Sequence, residues 1–345
     1  MHFRHGIGRQ PGFGVERVFH ALAFLLAIAG LIAIAAWYSI VFPRQPFKGP
    51  LPPLTGEEID LARRLETHVT AVASRPHNLS HPANLEAAAR YIEATLEGLG
   101  YDLVTQRYSV GGRLVRNIEV VIEPAGGADD VASFIAGAHY DSAGSSPGAN
   151  DNGTGVAATL ELARLLRDWK PRDHRLRLVL WVNEENPYAK TPDMGSWRHA
   201  KALKQRGEPV AGAISLETLG YFSDEEGSQA FPAPFGAVYS SVGNFVAFVG
   251  LPGSRALVHR AIESFRRHTA FPAIGGVAPG FIAGIDYSDH WSYHQHGISS
   301  LMVTDTAPFR NPRYHKASDL PDTVDYESLA RITKGIERML RELVR

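Results

Sequence analysis

The chain has 345 residues, with 35 Lys plus Arg against 36 Asp plus Glu and no cysteine. The balanced charge gives no electrostatic reason to expect a nucleic-acid partner. The lack of cysteine excludes disulfides, thiolate nucleophiles and Cys-ligated metals, so any metal must bind to histidine and carboxylate groups. The length after an N-terminal apolar segment suits one large single-core domain or two small ones.

The first predicted element is an apolar helix over residues 21–42, a stretch of 22 residues without a charged side chain. At 1.5 Å per residue it is long enough to cross a hydrocarbon core of roughly 30 Å. Three arginines precede it, which weakly favours a cytoplasmic N-terminus. We therefore expect a cytoplasmic segment at residues 1–20 and a single transmembrane signal-anchor helix, with the remaining chain on the periplasmic or extracellular side. The alternative is a cleaved signal peptide, since Ala33-Ile34-Ala35 resembles a cleavage site, and the protein would then be secreted.

A Pro-rich linker follows at residues 43–54, with five prolines in twelve positions. This composition predicts a stiff, extended spacer between the membrane and a folded domain. The domain is expected to occupy residues 55–345. Thr55-Gly56-Glu57-Glu58 opens its first helical pattern, and a second helix is predicted over Pro82–Leu99.

Apolar runs and helical patterns then alternate along the chain. Strands separated by helices of roughly 10–20 residues predict a doubly wound α/β fold, with a parallel or mixed sheet flanked by helices on both faces. No Gly-rich dinucleotide fingerprint or Walker loop occurs, so we expect no nucleotide cofactor. The predicted strands are 118–122, 133–138, 176–182, 213–216 and 300–304, and the predicted helices are 155–168, 195–207, 254–268 and 325–344.

Charged residues fall where the predicted strands end, which is where doubly wound sheets bind their ligands. A single such residue has an ordinary structural explanation, as a hydrogen-bonded histidine or a helix cap. A charge at the end of a buried strand costs desolvation unless it is paired or bound, so the whole set predicts a site. These residues are His139, Asp151, Glu184, Glu185, Glu217 and His315.

The residue types restrict the chemistry of this site. Histidines and carboxylates without thiols suit Zn²⁺ or a similar divalent ion. Two histidines and at least three carboxylates exceed the needs of one tetrahedral zinc, and they match two zinc ions that share a carboxylate. A further carboxylate must act as general base, and the neighbours Glu184 and Glu185 could divide these duties. The residues alone therefore predict a di-metal hydrolase.

The ordered motifs resemble those of metallopeptidase family 28, the co-catalytic zinc aminopeptidases, whose relatives include glutamate carboxypeptidase II and the glutaminyl cyclases. The resemblance covers roughly residues 56–343. It implies the zinc aminopeptidase fold, also called phosphorylase/hydrolase-like. The motifs are His139-Tyr140-Asp141, Ala149-Asn150-Asp151-Asn152-Gly153-Thr154-Gly155, Asn183-Glu184-Glu185, Ser215-Leu216-Glu217, Ser288-Asp289-His290 and Tyr314-His315.

The resemblance also implies roles for single residues. Asp151 would bridge two zinc ions, and Glu217 stands where the family usually has an aspartate. Glu184 would be the general base, and Asp141 would accept the imidazole N–H of His139 and so orient that ring. The implied metal ligands are His139, Asp151, Glu185, Glu217 and His315. Tyr314 is expected to donate to the oxyanion or to pack its ring, and Asp289 and His290 are expected beside the pocket rather than on a metal.

We therefore expect a metallo-aminopeptidase that hydrolyses N-terminal residues from peptides through a metal-activated water. Aromatic residues in the stretches 221–253 and 270–287, both expected to be loops, predict an apolar side-chain pocket. One alternative is a glutaminyl cyclase, which would use a single zinc and form pyroglutamate. The other is a non-catalytic, receptor-like relative that has lost its metals.

Overall fold

The computed structural model describes residues 13–127, 131–233 and 235–344. The chain forms two compact units, one ending at Val41 and the other beginning at Phe42. The first unit holds helix α1 (Phe13–Ile40), whose part Arg17–Ile40 is long and apolar enough to cross a membrane. The helix expected at residues 21–42 is therefore present, although it ends at Ile40.

The second unit is an α/β domain with helices α2 to α8 and strands β1 to β8. In chain order they are α2 (Gly56–Val72), α3 (Pro82–Gly98), β1 (Val104–Val110), β2 (Arg113–Ile122), β3 (Ala132–His139), α4 (Thr154–Leu166), β4 (His174–Trp181), α5 (Gly195–Gln205), β5 (Val210–Glu217), β6 (Val246–Gly250), α6 (Arg255–His268), β7 (Ala273–Val277), α7 (His290–Gln295), β8 (Ser300–Thr304) and α8 (Tyr326–Leu343).

The strands form one eight-stranded sheet in the order β1-β2-β4-β3-β5-β8-β6-β7. Its centre, β4-β3-β5-β8, is parallel, whereas β2 pairs with β4 and β6 pairs with β8 in the antiparallel sense. His139 lies opposite Trp181, and Glu217 lies opposite Thr304. The predicted mixed α/β sheet is confirmed, and the carboxyl ends of its central strands are level with one another.

Both faces of the sheet are covered by apolar cores. Successive side chains of a strand point to opposite faces, so Phe134 and Ala136 of β3 enter the larger core while Ile135 enters the smaller one. Trp181 and Tyr293 belong to that smaller core. Because both faces are buried, the central strands are continuous apolar runs rather than alternating ones.

The first helix of the domain begins where the sequence places it. Thr55 accepts a hydrogen bond from the Glu58 backbone N–H at 3.3 Å, and the Glu58 carboxylate accepts from the Thr55 N–H at 2.8 Å. This reciprocal capping satisfies two donors that the first turn leaves unpaired. Leu61, Leu65 and Val69 then form the buried face of α2.

Strands β1, β6 and β7 were not predicted, and β6 and β7 fall in the two stretches expected to be loops. The sequence of β7, AIGGV, has two glycines in five residues, which is unfavourable for a strand in isolation. Strand β6 also has only five residues. Both strands are stabilised by their place in the sheet, where β6 pairs with β8 and β7 pairs with β6.

The Pro-rich segment is bound along the surface of the second unit. Arg266 donates to the carbonyl oxygens of Pro43 at 2.8 Å and Arg44 at 2.6 Å. Near the other end of the segment, Arg331 donates to Pro52 O at 2.6 Å. These residues are therefore held against the domain and do not form a free spacer.

The close approach of β3 to β4 makes Gly137 a sensitive position. A Cβ atom there would lie 1.9 Å from Val179 O, a backbone atom of β4. We expect Gly137→Ala to lower the free energy of unfolding by about 1–3 kcal/mol or more, because the strands would have to separate. Denaturant unfolding measures this, with Gly126→Ala as the control, since a Cβ at Gly126 meets nothing within 4 Å. Equal stability of the two variants would contradict the packing described.

Candidate metal centre

The carboxyl ends of β3, β4 and β5 bring the predicted site residues to one place. His139 is the last residue of β3, and Glu217 is the last residue of β5. After β4, Asn183 takes a left-handed backbone conformation with φ of 63°, and Glu184 and Glu185 follow it. The sheet thus supplies a histidine and carboxylates along a single edge.

Two groups of potential ligands share Asp151. In the first, His139 Nε2 lies 3.5 Å from Asp151 Oδ1 and 3.3 Å from Glu217 Oε2. In the second, His315 Nε2 lies 3.0 Å from Asp151 Oδ2 and 3.4 Å from Glu185 Oε1. Within each group the ligand atoms all lie within 4.8 Å of one another. Asp151 directs one carboxylate oxygen to each group.

The protein does not use the key atoms of these groups for its own hydrogen bonds. Across the described part of the chain, His139 Nε2, both carboxylate oxygens of Asp151 and Glu185 Oε1 are buried without a hydrogen-bond partner. Buried carboxylates cost free energy unless a cation compensates their charge. Imidazole nitrogens and carboxylate oxygens are zinc ligands. The donor set therefore fits two divalent ions on either side of Asp151.

The electrostatics of the cluster distinguish its carboxylates. Burial, reinforced by the nearby Asp151 charge, raises the pKa of Glu217 to about 8 and that of Glu185 to about 7. Burial also opposes the ionised form of Asp151, but the imidazoles of His139 and His315 outweigh it and hold the Asp151 pKa well below its usual range. Asp151 thus stays an anion at the position that both groups share.

The loop Ala149–Gly153 that carries Asp151 is fixed by a carboxylate from a distant part of the chain. Asp319 Oδ1 accepts a hydrogen bond from the backbone N–H of Asn150 at 3.0 Å, and Asp319 Oδ2 accepts one from the backbone N–H of Asp151 at 3.2 Å. The Asp305 carboxylate accepts a hydrogen bond from the side-chain amide of Asn150 at 3.0 Å. Asp319 is buried, and sequence reasoning missed it because a lone aspartate in a loop carries no pattern.

Asp141 holds both the histidine and the adjacent glutamates. Its carbonyl oxygen lies 3.0 Å from His139 Nδ1, and its carboxylate Oδ1 lies 3.6 Å away. A carbonyl can only accept, so Nδ1 carries a proton and Nε2 is the ring nitrogen that faces the cluster. The Asp141 carboxylate accepts hydrogen bonds from the backbone N–H groups of Glu184 at 3.0 Å and Glu185 at 3.2 Å. The closest contact to the imidazole is thus made by the Asp141 carbonyl rather than by the carboxylate.

The longer side chain of Glu217 is accommodated by hydrogen bonds. Ser288 donates to Glu217 Oε2 at 2.8 Å, and Ser288 Oγ also lies 2.6 Å from Ser215 Oγ. Asn152 donates to the carbonyl of Leu216 at 2.8 Å, which ties the Asp151 loop to β5. Glu217 therefore belongs to the first group of potential ligands, although the resemblance to the family implies the shorter aspartate at this position.

The remaining predicted residues lie near the cluster without entering its ligand groups. His290 Nε2 donates to the carbonyl of Ile285 at 2.8 Å, and burial lowers the pKa of His290 to about 4. Asp289 is buried at the start of α7, and burial raises its pKa to about 7. Among the described residues, neither belongs to a group that could hold an ion. The Tyr314 ring stacks on the His315 imidazole with ring centroids 3.8 Å apart.

An apolar cavity adjoins the ligand cluster. The ligand cluster lies in a cleft lined by Asp151, Glu185 and His315. Three further residues line both this cleft and the cavity, namely Glu217, Tyr287 and Tyr314. The cavity has a volume of about 710 Å³ including its open mouth. Its remaining lining includes Phe231, Phe235, Tyr239, Ile274 and Gly276.

The aromatic residues expected to form this pocket have different locations. Phe231, Phe235 and Tyr239 line the cavity. Phe248 is part of the main core, and Phe281 is 88% exposed. The predicted apolar pocket exists, but only some of the aromatic residues in these stretches form it.

Comparison with known proteins gives both a family and a fold. The sequence profile of Peptidase family M28 matches residues 117–340. "Uncharacterized protein YfbL" of Escherichia coli is 33% identical over 331 residues, which is 92% of this chain and 97% of that protein. A zinc aminopeptidase from Bacillus subtilis has a similar structure, with a TM-score of 0.65 at 16% identity over 82% of this chain and 95% of that one. Fimbriiglobus ruber glutaminyl cyclase matches with a TM-score of 0.62 at 19% identity, over 87% and 99% of the two chains.

The contacts of Asp319 generate a test. Asp319→Asn leaves one of the two backbone N–H groups of the Asp151 loop without its acceptor, so we expect zinc affinity to fall about 10- to 100-fold, as it does when other supporting residues of metal sites are changed. Competition with a chelator measures the affinity. Asp322→Asn, on an exposed residue of the same region, is the matched control. Equal zinc affinities of the two variants would show that Asp319 does not position the loop.

Proposed function

The chain belongs to peptidase family M28, and on that premise we propose that it is a zinc-dependent aminopeptidase that removes apolar residues from the N-termini of peptides. The observation that carries the proposal is the junction of two ligand groups, sharing Asp151, with an apolar cavity. A scissile bond at the cluster would place the neighbouring side chain in the cavity. The place where the bond is cleaved would then lie next to the pocket that selects the side chain.

The ligand groups suggest how two ions would be held. His139, Asp151 and Glu217 would bind one ion, and Asp151, Glu185 and His315 would bind the other. Zinc in these positions would act as a Lewis acid on the scissile carbonyl and would lower the pKa of a water molecule. A third combination, His139 with Glu184 and Glu185, also has ligand spacing. We assign Glu184 to proton transfer because the two groups that share Asp151 do not need it.

Glu184 would move the proton during hydrolysis. Burial, together with the charges of Glu217 and Glu185, raises the Glu184 pKa well above its usual value, although His139 acts in the opposite direction. A carboxylate of raised pKa can take a proton from the attacking water and pass it to the leaving amine nitrogen as the C–N bond breaks. The hydrogen bond from the Glu184 N–H to Asp141 fixes the backbone from which this side chain extends.

Tyr314 and the cavity complete the proposed site. Burial raises the pKa of Tyr314 far above its usual value, so the hydroxyl keeps its proton and can donate to the oxyanion of the tetrahedral intermediate. The side chain N-terminal to the scissile bond would enter the cavity beside Phe231, Phe235 and Tyr239. The mostly apolar lining supports a preference for large apolar residues.

The shared carboxylate also bears on the alternatives. Two ligand groups on one aspartate support a pair of ions, whereas the glutaminyl cyclase hypothesis requires a single zinc. The buried, unpaired ligand atoms weigh against a receptor-like relative without metals. If α1 anchors the chain, we propose that the catalytic domain lies on the extracytoplasmic side of the membrane, where its substrates would be peptides.

Glu184→Gln tests the proposed base. The amide cannot accept a proton, so we expect kcat on leucyl-p-nitroanilide to fall by about 100-fold or more. Zinc content and KM should stay unchanged, because Glu184 is assigned neither to a zinc ion nor to the cavity. Glu97→Gln, on an exposed helical residue, is the control. Full activity of Glu184→Gln would exclude the mechanism, and pyroglutamate formed from glutaminyl peptides by the wild type would favour the cyclase.

Gly276 offers a test of the cavity. It lines the cavity, and a Cβ there would meet nothing within 4 Å, so a larger side chain would occupy the space proposed for substrate. We expect Gly276→Leu to lower kcat/KM for leucyl and phenylalanyl substrates by about 10- to 100-fold while alanyl substrates are spared. Gly126→Leu, which adds the same side chain at an open position, controls for the substitution itself. An equal effect on all substrates would place the selecting pocket elsewhere.

A further inference from the structure

The first residues of the second unit, Phe42–Arg44, pack against strand β7. We call these three residues the brace. A Cβ atom at Gly275 would lie 2.6 Å from the Phe42 ring, so the ring rests on bare backbone that no other residue type would leave accessible. The guanidinium carbon of Arg255 lies 5.3 Å from the centroid of the same ring. Phe42 is thus packed between β7 and the start of α6.

Arg266 ties the brace to β7 with a single guanidinium group. Its Nη1 donates to Pro43 O at 2.8 Å and to Arg44 O at 2.6 Å. Its Nε and Nη2 donate to Ala273 O at 3.1 Å and 2.6 Å. Hydrogen bonds from a charged donor are stronger than those between neutral groups. The brace and the first residue of β7 are therefore held by one rigid, planar group.

Strand β7 has reason to depend on this support. It is the last strand in the sheet order and pairs with β6 on one side. Its two glycines, Gly275 and Gly276, bring no side chains that could lock it in place. On its other edge, the Tyr239 hydroxyl donates to Gly275 O at 2.5 Å. A short edge strand of this composition is positioned largely by what packs against it.

The same strand forms a wall of the apolar cavity. Ala273 and Val277 belong to the main core, and Gly275 has the same orientation as they do because side chains alternate along a strand. Ile274 and Gly276 therefore point to the opposite face, and they line the cavity together with Tyr239 and the backbone of Gly275. The brace and the cavity lie on the two faces of one strand.

We propose that the brace positions β7 and thereby sets the size of the cavity that selects the N-terminal side chain. Residues that join the apolar helix to the domain would then belong to the specificity-determining structure of the enzyme. This inference rests on the proposed aminopeptidase function. Phe42 is a positioning residue in this account, since it acts through β7 and does not touch the substrate.

Detergent-solubilised full-length protein carrying Phe42→Ala provides the test. We expect KM for leucyl and phenylalanyl p-nitroanilides to rise about 10-fold, because the wall of the cavity loses its support, while KM for the alanyl substrate and the zinc content stay unchanged. Phe42→Leu should restore most of the selectivity. Arg266→Met should reproduce the shift by removing the other contact. Leu51→Ala, at a residue of the same segment that is 37% exposed, is the matched control.

Hydrogen exchange of the backbone provides a readout that does not require activity. We expect Phe42→Ala to speed exchange in residues 273–277 and to leave β3 unchanged. A uniform loss of activity on all substrates, or unaltered exchange of β7, would overturn the proposal. If the wild type cleaves no aminoacyl substrate, the proposed function fails, and the exchange measurement still decides whether the brace positions β7.

Discussion

The structure around the site depends on how the charge of a group of buried carboxylates, at the ends of parallel strands, is compensated. Asp151 faces His139 on one side and His315 on the other, and both of its oxygens lack a hydrogen-bond partner within the chain as described. Such an arrangement is unfavourable on its own and becomes favourable when cations bind between the carboxylates. Asp319, Asp141 and Ser288 each use hydrogen bonds to keep one part of this group in place. Much of the polar structure around the site therefore keeps carboxyl groups close together.

The sequence was a good guide to the residues at strand ends and a poor one to their supports. His139, Glu185 and Glu217 could be predicted because a charged residue directly after an apolar run is conspicuous, and the sheet register then brings such residues level. Asp319 could not be predicted, because its role comes from contacts with a loop more than 160 residues away in the sequence. Strand β7 was not predicted for a related reason. Its two glycines disfavour a strand, and the contacts that support it come from β6 and from Phe42, which are distant in the sequence.

The site and the cavity have separate structural origins. The groups of potential metal ligands come from the parallel centre of the sheet and the loops that follow it, whereas β6, β7 and the loop with Phe231 and Tyr239 supply much of the cavity. A zinc aminopeptidase and a glutaminyl cyclase both share the overall fold with this chain. The fold alone therefore does not choose the reaction. The number of metal ions and the shape of the cavity carry that information.

The central claim is that Asp151 joins two metal ions in one centre. X-ray absorption at the zinc edge, combined with zinc analysis of the purified full-length protein, tests it most directly. The account predicts two zinc ions per chain and a metal–metal distance of about 3.5–4 Å, with that distance lost in Asp151→Ala. A single zinc per chain, or two zinc ions without a short metal–metal distance, would contradict it.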